Sequence, residues 1–247
     1  CMLRKEVEKM KDFTIITDSC CDLPSQMAEK LGIRVMPLTV IINGTEYANY
    51  LDEREITFKD FYKKMREEAE SSTSAMNGES LKTAIEEEVA GNKDVLVLSF
   101  SSALSNTYNV AAQTVQEMSK KYPDSKIYAV DTLAASMGQG LLVYLACKQK
   151  EKGKSIDEVK AYVEDNKLNL AHWFTVDDLH FLKRGGRISK ATAILGTMLS
   201  IKPVLHVDNE GRLISMFKTR GRSAALNKIA EEMENTVTEP EKQTIFI

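Results

Sequence analysis

Along the chain, short runs of aliphatic and β-branched residues alternate with stretches whose apolar positions recur every three or four residues, the pattern of strands exchanging with amphipathic helices. Phe13 to Thr17 predicts a buried strand, followed by Asp18-Ser19 and a helix near Pro24 to Leu31 with proline in its tolerated first turn. Arg34 to Ile42, Asn43-Gly44 and Thr45 to Tyr50 predict a hairpin, because Asn-Gly supplies the positive φ angles of a type I′ turn. A polar helix over Thr57 to Glu70, a hydroxyl-rich loop from Ser71 to Gly78 and a helix over Glu79 to Val89 follow. Asp94 to Phe100 predicts the central strand, running into Ser101-Ser102-Ala103-Leu104-Ser105-Asn106-Thr107 and a helix to Lys121. Lys126 to Val130 predicts the next strand, with helices over Ala134 to Lys152 and Ser155 to Leu168.

A second series begins at Ala171 to Thr175, with short helices around Asp178 to Leu182 and Lys190 to Leu199. Strands over Lys202 to Val207 and Arg212 to Lys218 are joined by the turn Asp208-Asn209-Glu210-Gly211, and a charged helix covers Gly221 to Asn235. The fold class expected is α/β: a mainly parallel sheet flanked by helices over residues 13–168, and a second, smaller α/β domain over 169–247. Three strands end in Asp or Ser clusters that open a helix, at Asp18-Ser19, Ser101-Ser102 and Asp131-Thr132, and in a doubly wound sheet such carboxyl ends line one ligand crevice. The final Thr244-Ile245-Phe246-Ile247 reads as a strand without its sequel, and Cys1 precedes Met2, so the expectation is a fragment.

With 33 basic and 36 acidic residues in 247, the net charge is -3, which argues against a general nucleic-acid binder. That average hides an asymmetry. From His180 to Arg222 nine Lys/Arg face two acids, giving +7 and leaving -10 for the remainder, which suggests a localised anionic ligand or partner. Cysteines at 1, 20, 21 and 147 lack disulfide or metal-clip spacing and read as free thiols of a reducing cytoplasm. No apolar run approaches the ~18 residues of a membrane span.

Ser101-Ser102 at a strand-to-helix turn offers hydroxyls and unpaired amides suited to a carboxylate or phosphate, with plain helix capping as the competing account. The Ser71 to Ser74 hydroxyls form a second candidate cluster. Gly138-Gln139-Gly140 lies inside a helix and lacks a third glycine, so close helix packing accounts for it better than dinucleotide binding. His172, His180 and His206 lack metal-ligand spacing, and no metal or other cofactor is expected. Met137, Met198 and Met216 are candidates for lining a deformable apolar cavity, although methionine more often fills core gaps. Asp18 or Asp131 in the crevice leaves open a phosphotransferase or hydrolase, and a sugar- or nucleotide-binding module is a third option. Lys183-Arg184-Gly185-Gly186-Arg187-Ile188-Ser189 is the most distinctive stretch, with cations crowded around a tight turn.

Thr17-Asp18-Ser19 with Asp22-Leu23-Pro24, Ser101 to Tyr108, Asp131-Thr132-Leu133 with Ala135 to Gly140, Asp177-Asp178-Leu179 with Lys183 to Ser189, and Leu195-Gly196 with Ile201 to Leu205 together resemble the DegV family in order and spacing. The resemblance implies a cytoplasmic, non-enzymatic protein that binds a long-chain fatty acid such as palmitate in an interdomain tunnel. It would present the carboxylate to a separate ATP-dependent fatty acid kinase subunit for acyl phosphate formation. It further implies head-group binding by Thr73, Ser74, Ser101, Ser102 and Ser105, and kinase docking by Arg184 and Arg187, extended to Lys218, Arg220 and Arg222. Two local departures stand out: Thr73-Ser74-Ala75-Met76 replaces the family's Thr-Ser-Gln-Pro, and Asn106 replaces a usual glycine. Members also continue past the equivalent of Ile247, through a histidine near the carboxylate.

Overall fold

The protein is described from a computed structural model over residues 11–187 and 201–247. In chain order come β1 (Phe13–Asp18), α1 (Ser25–Leu31), β2 (Arg34–Met36), β3 (Leu38–Ile42), β4 (Thr45–Asn49), α2 (Phe58–Arg66), β5 (Ser71–Ser74), α3 (Gly78–Ala90), β6 (Asp94–Ser99) and α4 (Thr107–Lys121). They are followed by β7 (Ile127–Asp131), α5 (Ser136–Glu151), α6 (Ile156–Asn166), β8 (Trp173–Thr175), α7 (His180–Arg184), β9 (Ile201–Val207), β10 (Leu213–Arg220) and α8 (Arg222–Thr236). The helix expected over Lys190 to Leu199, with Met198, lies outside the described residues, as do Ile188 and Ser189 of the basic block.

Four parallel strands in the order β2-β1-β6-β7 form the main sheet, so the direction of winding reverses between β1 and β6. Helices cover both faces, which is why β1 and β6 are apolar-rich runs buried at every position. Successive side chains still divide by face. Leu96 and Leu98 join Phe13 and Ile15 under α5 and α6, while Val95 and Val97 join Ile16 and Ile127 under α3 and α4. Two three-stranded antiparallel sheets, β4-β3-β5 and β10-β9-β8, complete the mixed α/β architecture. No helix among the described residues is long and apolar enough to cross a membrane.

Three expectations need correction. The single strand expected over Arg34 to Ile42 splits at Pro37: β2 pairs parallel with β1, whereas β3 leaves to pair with β4 and β5. Proline has no backbone donor for a ladder, and it marks the departure from one sheet to another. The hydroxyl-rich segment is no loop through Ser74, because Ser71–Ser74 pairs antiparallel with β3 from Ile42 to Thr39. At the other end, Thr244 to Ile247 forms no strand, and the Phe246 ring instead packs on Tyr144 of α5 with centroids 5.3 Å apart.

The reading of Gly138 and Gly140 as packing residues agrees with their surroundings. A Cβ at Gly140 would lie 2.5 Å from the Cys21 carbonyl oxygen, and one at Gly138 would lie 2.5 Å from the His172 ring. Only glycine lets α5 approach the turn after β1 so closely. Gly140→Ala is expected to lower unfolding stability by about 1–3 kcal/mol, the usual range for an overpacked core, as read by urea denaturation.

Candidate functional site

At the carboxyl end of β1, Asp18 is fully buried. Its Oδ2 accepts the Phe100 amide at 2.8 Å and its Oδ1 accepts the Cys20 amide at 3.0 Å. One carboxylate thereby clamps the first strand's exit to the exit of β6, at the point where the sheet reverses its winding. Burial dominates its chemistry: desolvation pushes the Asp18 carboxyl up from 3.8 to about 6 against the amides of Phe100 and Cys20 and the Gln139 side chain. The next residue reaches sideways. Ser19 Oγ accepts the Leu38 amide at 3.0 Å and the Asn49 side chain at 3.2 Å, anchoring the β4-β3-β5 sheet to the same corner.

Asp131 performs the matching task at the end of β7. Its Oδ1 accepts the amides of Ser102 at 3.2 Å and Leu133 at 3.1 Å. The three carboxyl ends predicted to line one crevice are thus tied together, and both aspartates considered as enzymatic groups act as turn clamps.

The serine pair divides into two environments. Ser101 is fully buried, with its Oγ donating to the Gly211 carbonyl at 2.9 Å and accepting the Ala103 amide at 3.3 Å. Ser102 is exposed, and its hydroxyl makes no hydrogen bond among the described residues. Ser105 Oγ lies 2.9 Å from Thr107 Oγ1, and Thr107 Oγ1 also accepts the Met76 amide at 3.3 Å, just beyond β5. Thr107 was not singled out from sequence, although it closes the hydroxyl run that begins at Ser101. Through it the end of β5 is stitched to the Ser101–Thr107 loop.

Thr73 and Ser74 do not act as a pair. Thr73 stands opposite Val40 and Ser74 opposite Thr39, so the two side chains take opposite faces of the antiparallel sheet. Thr73 shares its face with Leu38, Val40 and Ile42, the apolar row of β3.

Of the cations, Arg187 is not a free surface charge: its Nε donates to the Leu104 carbonyl at 3.0 Å, within the hydroxyl loop, and it also contacts the Gly185 carbonyl. Arg184 lies over the Phe181 ring at 5.1 Å. Lys218 and Arg220 are exposed along β10, and Arg222 is 3.5 Å from Asp177.

Burial pushes the Cys21 and Cys147 thiols up to about 12, and burial together with His206 depresses His172 to about 4. Among the described residues no three His, Cys, Asp or Glu side chains converge as metal ligands. Two surface concavities, of about 440 and 200 Å³, lie along α2 and beside α1, and neither is lined by the hydroxyl cluster.

This arrangement can be set beside known proteins. Residues 12–247 match the family model described as "Uncharacterised protein, DegV family". The chain belongs to the DegV family. A DegV domain-containing protein of Clostridium perfringens is 48% identical over 238 residues, spanning 96% of this chain and 81% of its own length. Among solved structures, a DegV family protein of Thermus thermophilus described by its fatty acid binding aligns with a TM-score of 0.79 at 36% identity, covering 91% of this chain and 77% of that one. A stearic acid-binding protein of Eubacterium ventriosum aligns at 0.83 with 26% identity, covering 91% and 76%. DegV of Bacillus subtilis, a fatty acid binding protein, aligns at 0.77 with 29% identity, covering 92% and 78%. DegV membership accords with the mixed α/β fold and with the motifs that carried the resemblance.

The Asp18 clamp predicts a titration. Its carboxyl carbon should shift with a midpoint near 6 in NMR. Because the folded value lies above 3.8, the folded protein binds more protons across that window. Stability relative to Asp18→Asn should therefore be greatest at the acid end and fall by at most about 3 kcal/mol as pH rises through 6, measured by urea unfolding.

Proposed function

We propose that this protein binds a long-chain fatty acid, such as palmitate, and that Thr73 of β5 with Ser102 and Ser105 of the Ser101–Thr107 loop receives its head group, the loop and the segment after β5 being tied through Thr107 and Met76. The observation that carries the reading is the likeness to the Thermus thermophilus fatty acid binding protein over nine-tenths of the chain, 91%, at 36% identity. The site's chemistry supports it. A carboxylate received by uncharged hydroxyls needs no buried ion pair, while each buried methylene of the tail contributes about 0.8 kcal/mol. Affinity then comes from the chain and orientation from the head. Of the serine pair, Ser102 is the better ligand group, since Ser101 spends its hydroxyl within the protein.

On this reading the protein is a cytoplasmic carrier divided near residue 168, with the acyl chain in a tunnel between the two parts. It presents the carboxylate to a separate ATP-dependent kinase subunit. Its basic segment supplies the docking surface, with Arg184, Lys218, Arg220 and Arg222 among its exposed members. Both oxygens of Asp18 and one of Asp131 serve the turns, which counts against the phosphotransferase or hydrolase alternative.

Lipid extraction and mass spectrometry of the purified protein should find a copurifying fatty acid, strongly reduced in the combined Thr73→Ala, Ser102→Ala variant. Absence of any fatty acid from the wild type would overturn the reading. Charge reversal at Arg220 should leave the lipid in place while abolishing acyl phosphate formation when kinase and ATP are supplied. Arg187→Glu, which breaks a contact to Leu104, should affect both loading and phosphorylation.

A further inference from the structure

The Asp208-Asn209-Glu210-Gly211 turn between β9 and β10 was legible only as a hairpin connection. In the fold it reaches the carboxyl edge of the parallel sheet. The Gly211 carbonyl receives the Ser101 hydroxyl at 2.9 Å across 110 positions of sequence. The turn is itself rigid, since Asp208 Oδ1 accepts the amides of Glu210 at 3.0 Å and Arg212 at 2.9 Å.

Gly211 has no room for another residue. It holds φ +75°, and a Cβ there would overlap Ser101 Oγ and stand 3.1 Å from Leu133 Cα. Leu133 also holds a positive φ, 51°, which is uncommon for a bulky side chain and which the Asp131 carboxylate supports by accepting its amide. Around the contact, Leu104, Val207 and Leu213 form a small buried cluster flanked by Phe100, Ala135, Phe174 and Leu182, so the turn is seated by apolar packing as well.

Every polar group of Ser101 is used. Its amide donates to the Ala134 carbonyl at 3.0 Å, and its carbonyl accepts the amides of Leu104 and Ser105 at 3.1 Å each. With its hydroxyl on Gly211, Ser101 has nothing left for a ligand, yet it is the first residue of the loop that aims Ser102 and Ser105.

We propose that Gly211 is a positioning residue for the head-group site: its carbonyl, delivered by the hairpin turn, sets the Ser101–Thr107 loop through the Ser101 hydroxyl. Ser101 is accordingly a latch, and its neighbour Ser102 the ligand contact. The inference rests on the fatty-acid reading for its ligand, while the latch has a readout of its own.

The test compares full-length wild type, Ser101→Ala, Gly211→Ala and the double variant, using delipidated protein and stearate as the probe. Gly211→Ala should weaken stearate binding about ten-fold or more, roughly 1.4 kcal/mol. Removing Ser101 Oγ relieves the overlap, while the positive-φ strain is common to both variants carrying Ala at 211. The double variant should therefore return to within about three-fold of Ser101→Ala. Hydrogen exchange at the Ser101, Leu104 and Ser105 amides should accelerate most in Gly211→Ala and fall back in the double variant to the level of Ser101→Ala, itself faster than wild type because the hydroxyl latch is gone. Wild-type affinity in Gly211→Ala, or a double variant no tighter than Gly211→Ala, overturns the proposal. If wild type binds no stearate, the fatty-acid reading fails, and exchange at those amides alone supports or overturns the latch. Should Gly211→Ala not fold, Ser101→Ala decides: faster loop exchange with unchanged exchange in β6 supports positioning, and unchanged loop exchange overturns it.

Discussion

The arrangement of this protein depends on one buried carboxylate. Asp18 gives up hydration to stand between β1 and β6, and in return receives the amides of Phe100 and Cys20. Its carboxyl sits near 6 because desolvation outweighs those amides together with Gln139, a balance that favours the protonated form more than water does. Since Phe100 leads directly into Ser101, and Ser19 holds both Leu38 and Asn49, the hydroxyl loop and the sheet bearing Thr73 are referenced to adjacent residues. A displacement at Asp18-Ser19 moves the hydroxyl loop and the β5 edge together.

Much of the main sheet was legible because its signals are local or periodic. The division of β6 into Leu96 and Leu98 on one face and Val95 and Val97 on the other lies within a single apolar run. The clustering of Asp18, Ser101 and Asp131 follows from a parallel sheet placing its carboxyl ends at one edge. By contrast, β5 has no apolar residue to alternate, and its extended form comes from pairing with β3, about thirty positions earlier in the chain. Pro37 did carry a local signal, but continuous hydrophobicity on either side of it masked the change of sheet.

At the proposed site, the sequence pointed to the Ser101–Thr107 loop while leaving open which of its hydroxyls face inward. Whether a serine in such a loop faces inward or outward depends on what packs over it. For Ser101 that is a turn more than one hundred residues away. Thr107 escaped notice because it is also the first residue of α4, where a capping or helical role explains it equally well. The charge asymmetry likewise located a basic segment without revealing that Arg187 is bonded to the hydroxyl loop, whereas Lys218 and Arg220 stand free of it in the exposed edge of β10.

The opposed faces of Thr73 and Ser74 bear on how this region tolerates insertions and deletions. Sheet register has a period of two, so a one-residue slip of β5 against β3 would turn Thr73 away from the apolar row and bring a serine in its place. The stitch from Met76 to Thr107 fixes where the strand must end. Length changes are therefore absorbed most readily upstream, between β4 and β5, where α2 and its flanking turns intervene. A length change between Thr73 and Met76 would instead shift Thr73 relative to its anchor and alter the proposed site without replacing a single side chain.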